Sequence, residues 1–188
     1  FAGYGDEDRD AYIQTLPLSP DQARAVEAGV VEQLSGPGHT YIYDHFFDNC
    51  TTRIRDVLDR ATHGRLRAGT DAPFAQTFRA IAARGIVAFP WLRGLSDFVV
   101  GRTVDARPTL WQAMFYPDVL RAQIAVRFGV QPAVLKARAG APYPTTGPSS
   151  VLRLLGLALV FALPLAVTRR RWAIAWATVW LGGWGLVL

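Results

Sequence analysis

The chain has 188 residues, of which 51% are hydrophobic, and a formal charge of +5; this length allows one domain of ordinary size with additions, and the composition sits at the apolar end for a soluble protein. All 15 acidic residues and 16 of the 20 basic ones precede position 149, leaving the first 148 residues at only +1. A nearly neutral domain gives no electrostatic footprint for nucleic acid, which is not expected as a partner, and a single cysteine rules out an intramolecular disulfide.

The chain opens Phe1-Ala-Gly-Tyr-Gly-Asp-Glu-Asp, with no starting methionine, basic n-region or apolar h-region, and it reads as cut at both ends. Tyr12, Ile13, Leu16 and Leu18 fit a short extended segment. Ser19-Pro20-Asp21-Gln22 predicts a helix start, with Ser19 as N-cap, Pro20 at N1 and Gln22 closing a capping box; Ala23, Val26, Val30 and Leu34 then share one face. Ser35 to Gly38 breaks the chain. From Thr40 to Phe47 the aromatic, β-prone composition predicts a strand, with Tyr41, Tyr43, His45 and Phe47 on one side and Ile42, Asp44 and Phe46 on the other. Asp48 or Asn49 offers a cap for a second helix, in which Ile54, Val57, Leu58 and Ala61 recur at buried-face spacing until Gly64 ends it.

Beyond Gly64, Gly and Pro punctuate a series of short helices: Pro73 to Ala83, Pro90 to Val100, one from Pro108 and one from Pro117. Their aromatic and Met positions read as core. Residues 129–150 carry repeated Pro and Gly and predict a tether, in which Val134 to Lys136 makes a brief strand at most. Residues 151–167 contain one charge, Arg153, and residues 172–188 none, which predicts two transmembrane helices, the second truncated. The Arg169-Arg170-Arg171 loop between them belongs in the cytoplasm by the positive-inside rule, placing residues 1–148 on the extracytoplasmic side of a bacterial inner membrane, with membrane lipids as partners.

Cys50 is the residue with chemistry to explain. In the first turn of a helix it lies beside unpaired backbone N–H groups and the positive end of the macrodipole, which favour a thiolate nucleophile; equally, a lone cysteine is often one more small buried hydrophobe. A nucleophile needs a base, and there are three histidines. His63 lies near the far end of the same helix, and His39 precedes the expected strand. His45 is the nearest candidate base, though a neighbour on one strand need not point at the thiol. Asn49 either orients a base or oxyanion or simply caps the helix. No ligand spacing for a metal is visible, and no cofactor motif.

The run Tyr41-Ile-Tyr-Asp-His-Phe-Phe-Asp-Asn-Cys-Thr-Thr-Arg-Ile-Arg-Asp56, with weaker flanking matches from Gly3 to Arg9, Leu16 to Gln22 and Arg107 to Leu120, resembles the Lnb-type N-terminal periplasmic domain, a bacterial family associated with N-acylation of lipoproteins. The Asn-Cys pair opening a helix is also similar to circularly permuted papain-like enzymes of the NlpC and lecithin retinol acyltransferase kind. The resemblance implies an α+β fold, a mostly helical portion of a permuted papain-like domain over residues 1–128, and a catalytic histidine in a Gly-His context upstream of residue 1. It implies a membrane-anchored thiol acyltransferase or cysteine hydrolase acting through Cys50 on lipoprotein or lipid acyl groups, without a cofactor. Thr51, Thr52 and Arg53 match the signature and are expected at the substrate, although Arg53 can instead pair with Asp56 or Asp59 on its own helix. The competing expectation is a non-catalytic, membrane-tethered binding or scaffold module in which Cys50 is structural.

Overall fold

In the computed structural model the described residues are 8–35, 39–86, 100–141, parts of 155–163, and 170–185. The fold is α+β: short helices and a small sheet. Strand β1 (Ala11–Ile13) pairs antiparallel with β2 (Ala133–Lys136), matching Tyr12 to Val134 and Ile13 to Ala133. Acidic side chains extend the pairing past the strand ends: Asp10 accepts the Arg138 N–H at 2.9 Å, and Asp8 accepts those of Ala139 at 2.7 Å and Gly140 at 3.0 Å. Gln14 Nε2 then donates to the carbonyls of Arg121 (3.2 Å) and Val130 (3.0 Å). The domain expected to close at residue 128 therefore continues to 140, and the first part of the expected tether is folded against the N-terminal arm. Spacing of Pro and Gly does not reveal a two-stranded pairing whose partner lies more than a hundred residues away.

Helix α1 (Pro20–Ser35) starts on the predicted capping box, Ser19 N–H to Gln22 Oε1 at 3.0 Å and Gln22 N–H to Ser19 Oγ at 3.2 Å. Its predicted apolar face does not become core: Val26 packs on the core, while Val30 and Leu34 are exposed. Contact with helix α2 (Cys50–Ala61) is made instead at Gly29, where an added Cβ would lie 2.9 Å from Val57 Cγ1. The glycine lets the two helices approach. In α2 the inward set is Thr51, Thr52, Arg55, Val57, Leu58 and Ala61, and Ile54, expected inside, is exposed. Arg55 takes the interior place because its charge has partners there: the guanidinium lies 4.0 Å over the Trp111 ring, with hydrogen bonds to the Trp111 carbonyl (3.0 Å) and Asp56 (2.7 Å).

The expected strand from Thr40 to Phe47 is absent. Asp44 Oδ1 accepts both the Phe46 and Phe47 N–H groups at 2.9 Å, and a backbone pair between Asp44 and Asp48 closes a tight turn. A side-chain acceptor two residues back competes with any ladder for those donors, and here it wins.

After α2, His63 (φ 55°) and Gly64 (φ 79°) reverse the chain in left-handed conformations. Helix α3 (Phe78–Ala82) is capped by Thr77, α4 (Leu110–Ala113) by a Thr109–Gln112 box, and α5 (Pro117–Phe128) begins on Pro117 and ends at Gly129 (φ 70°). These elements surround Leu66, Phe78, Ile81, Met114, Phe115 and Leu120. Burying each such side chain contributes about 1.5–3 kcal/mol. The helix expected over Pro90 to Val100 falls almost wholly on residues 87–99, outside the described ones.

Helix α6 (Arg170–Gly185) exposes Trp172, Ile174 and Val179. At 16 residues it spans roughly 24 Å, and among the described residues no helix is long and apolar enough to cross a membrane. The segment expected as the first span is described only in fragments.

Candidate functional site

Helix α2 begins at Cys50 because the residue before it makes a complete cap. Asn49 is extended (φ −128°, ψ 177°) and only 4% exposed. Its Oδ1 accepts the Thr52 N–H at 2.9 Å, while Thr52 Oγ1 accepts the Asn49 N–H at 2.8 Å. Nδ2 donates to the carbonyls of His45 (2.8 Å) and Phe115 (3.2 Å). With both Nδ2 hydrogens committed, Asn49 has none left for an oxyanion or a base, and it acts on Cys50 by position.

Cys50 is exposed, which removes the buried-hydrophobe account of it. The thiol and the backbone amides of Cys50 and Thr51 have no hydrogen-bond partner among the described residues. Two N–H groups without an intrahelical partner and the positive end of a 12-residue helix thus share the first turn with Cys50. That arrangement suits an anion held at the helix start. Thr51 and Thr52, expected at the substrate, are buried, and Thr52 is engaged in the cap.

Arg53 pairs off its own helix, contrary to the expected partners Asp56 and Asp59. Its Nε and Nη2 donate to the two oxygens of Asp48 (2.7 and 2.9 Å), Nη1 donates to Gln33 of α1 (2.5 Å), and the guanidinium lies 3.6 Å over the Tyr41 ring. The Asp48 hydrogen bond holds Arg53 protonated even more firmly than usual. The residue ties the turn before Cys50 to α1 and α2. A fork geometry matched to a carboxylate explains why an aspartate outside the helix wins over the helical neighbours.

His45 does not hydrogen-bond to Cys50. Its ring packs edge-on against Phe46 (4.9 Å) and Phe115 (5.7 Å) and lines a half-open cavity of about 530 Å³ that Cys50 does not line. His39 and His63 are exposed and make no hydrogen bond with the thiol either. The cavity also meets Arg79 and Tyr116. Burial, and then the nearby Asp118, keep the Tyr116 phenol protonated beyond its ordinary range. Sequence reading missed this cavity and the Asp44 turn. The turn had a signal, an aspartate two and three residues before the amides it binds; the cavity had none, since its walls come from four separate stretches of chain. Among the described residues no cluster of His, Cys, Asp and Glu converges as a metal site.

An exposed thiol on a capped helix start, with a preformed turn in front of it, defines the class: an α+β domain presenting a single exposed cysteine. The family model of the Lnb N-terminal periplasmic domain matches residues 3–84, taking in β1, α1, the turn and all of α2. The matched stretch is thus similar to a bacterial extracytoplasmic domain, and the match stops short of the Arg107 to Leu120 segment. No curated protein and no solved structure matches the chain.

Proposed function

We propose that the chain is part of a membrane-anchored thiol acyltransferase, or a related cysteine hydrolase, that passes acyl groups of lipids or lipoproteins through Cys50. The observation that carries this reading is the exposed thiol at the first position of α2, in the turn whose first amides have no intrahelical partner. The Cys50 thiolate attacks the carbonyl carbon of an acyl ester, and the oxyanion is met by the Cys50 and Thr51 amides. Collapse expels the alcohol, which takes a proton from the base, and leaves a thioester. An amine or water then attacks the thioester, passes its proton to the base, and restores the thiolate. The resemblance to the permuted papain-like order implies a histidine upstream of residue 1 as the base, with His45 as the alternative within the chain.

Membrane anchoring supports a lipid-linked acyl donor. Residues 151–167 and 172–188 serve as the spans, with residues 1–148 outside the bacterial inner membrane; the uncharged run of α6 and its exposed Trp172, Ile174 and Val179 support that reading. The test is lipoprotein acylation in cells carrying the full-length Cys50→Ser protein. Loss of acylation with normal protein levels is expected, and wild-type acylation would remove the mechanism.

A further inference from the structure

The turn that follows α2, residues 62–69, meets the last turn of α5 at the end of α2 opposite Cys50, roughly 18 Å along its 12 residues. Arg65 Nε donates to the Arg127 carbonyl at 3.1 Å, and the Arg65 guanidinium lies 4.8 Å from the Phe128 ring centre. The Nη groups of Arg65 have no partner among the described residues. Arg127 is half-buried, and its guanidinium makes no hydrogen bond or ion pair among those residues; its Nε is enclosed without a partner, whereas its Nη groups reach solvent. Arg127 Nη2 lies 4.0 Å from where a Gly69 side chain would begin, and Gly69, left-handed at φ 67°, carries an N–H that is likewise without a partner among them.

Charge does not balance here. Arg67, in the same turn, engages both nearby carboxylates: Asp59 Oδ1 accepts its N–H at 2.8 Å, and its guanidinium is 3.8 Å from Asp71. Arg60 is paired with Glu32, and on α5 Arg121 with Asp118. Three guanidiniums, Arg65, Arg67 and Arg127, thus stand against two carboxylates, and the carbonyl end of α5 adds only about half a negative charge. Arg127 has lost part of its hydration without gaining a partner, which is costly for a cation, and the fold holds a second cation beside it.

We propose that Arg127 and Arg65, with the Gly69 N–H, form a binding site for a terminal phosphate group. Guanidinium forks match pairs of phosphate oxygens, and a phosphate monoester has three such oxygens and nearly two charges, enough to serve both arginines and the amide together. A carboxylate has too few oxygens for all three. The phosphate is carried either by a lipid or by a soluble molecule. The site is independent of Cys50 and of the reaction assigned to it.

The test is thermal unfolding of the full chain in phosphatidylcholine nanodiscs, titrated with inorganic phosphate at an ionic strength held constant with sodium chloride. Phosphate at about ten times its Kd should raise Tm by about 3–6 °C, and acetate should act roughly tenfold more weakly. Arg127→Met and Arg65→Met, which keep the side-chain stems, should each abolish the response, and Arg102→Met, outside the site, should keep it. Without phosphate, Arg127→Met should unfold no lower than the wild type, because it removes an unpaired cation. Doping the nanodiscs with phosphatidic acid separates the sources. A raised Tm to which free phosphate adds nothing identifies a lipid phosphate; an unchanged Tm with the full response to free phosphate identifies a soluble one. The proposal is overturned by a Tm indifferent to both phosphate and phosphatidic acid, by a phosphate response that survives in Arg127→Met and Arg65→Met, or by acetate acting as strongly as phosphate.

Discussion

Replacing Asn49 tests the local architecture most sharply, because its side chain has two separable duties. Asn49→Ala removes the N-cap acceptor, which costs about 1 kcal/mol. It also leaves the carbonyls of His45 and Phe115 without the donor that now lies at 2.8 and 3.2 Å, at about 1 kcal/mol for each acceptor so abandoned. The expected loss is about 2–4 kcal/mol, read by urea unfolding of the full chain or as a fall in Tm of about 2–4 °C per kcal/mol for this size. Asn49→Asp separates the duties. It keeps an acceptor for the Thr52 N–H and adds a favourable charge at a helix N-terminus, yet it has no Nδ2, so two carbonyl oxygens face a carboxylate. It should be destabilised by at least about 2 kcal/mol. If Asn49 were only a cap, Asp would match the wild type, and a loss below about 0.5 kcal/mol would refute the reasoning.

Gly29→Ala should destabilise despite the roughly 1 kcal/mol gain in helix propensity, because the new methyl would meet Val57 Cγ1 at 2.9 Å and a valine has little freedom to move; Gly29→Ala with Val57→Ala should recover part of the loss in thermal unfolding. Arg53→Lys should lose the paired hydrogen bonds to Asp48 and speed proteolysis of the 40–48 segment, with little change in global stability because the pair is partly solvated. Asp8, through the N–H groups of Ala139 and then Gly140, and Asp105, through the Arg79 hydrogen bond, are both held below the usual carboxylate range. Their folded values lie below the unfolded value of about 3.9, so their stabilisation is complete above that pH and is lost as pH falls through the lower folded values. Acid unfolding followed by circular dichroism should flatten over that window in Asp8→Asn.

The parts of the fold that follow from neighbouring residues were legible in the sequence. Ser19 to Gln22 capped α1, Pro117 opened α5, and the residue order around Asn49-Cys50 located the start of α2. Exposure was less legible. Ile54 faces solvent and Arg55 faces inward because Trp111, 56 residues further on, supplies a ring and a carbonyl for the guanidinium. The run from Tyr41 to Phe47 has strand composition, but the Asp44 carboxylate takes two of the amides that a ladder needs. The helix start at Cys50 was legible, but whether the thiol is exposed or buried was not, and it is exposed. Its surroundings were not legible either: Thr51 and Thr52 are buried, Arg53 is held by Asp48 and Gln33, and His45 belongs to a cavity assembled from distant segments.

The most direct measurement of the central claim is mass spectrometry of Cys50 itself. Full-length protein in membranes, incubated with a lipid acyl donor and quenched in acid, should carry one acyl group on the peptide containing Cys50. Neutral hydroxylamine should release it, and Cys50→Ser should prevent its release by that treatment. A protein that acylates its acceptor while Cys50 remains an unmodified thiol at every time point, or that does so unchanged after complete alkylation of Cys50, would contradict the account.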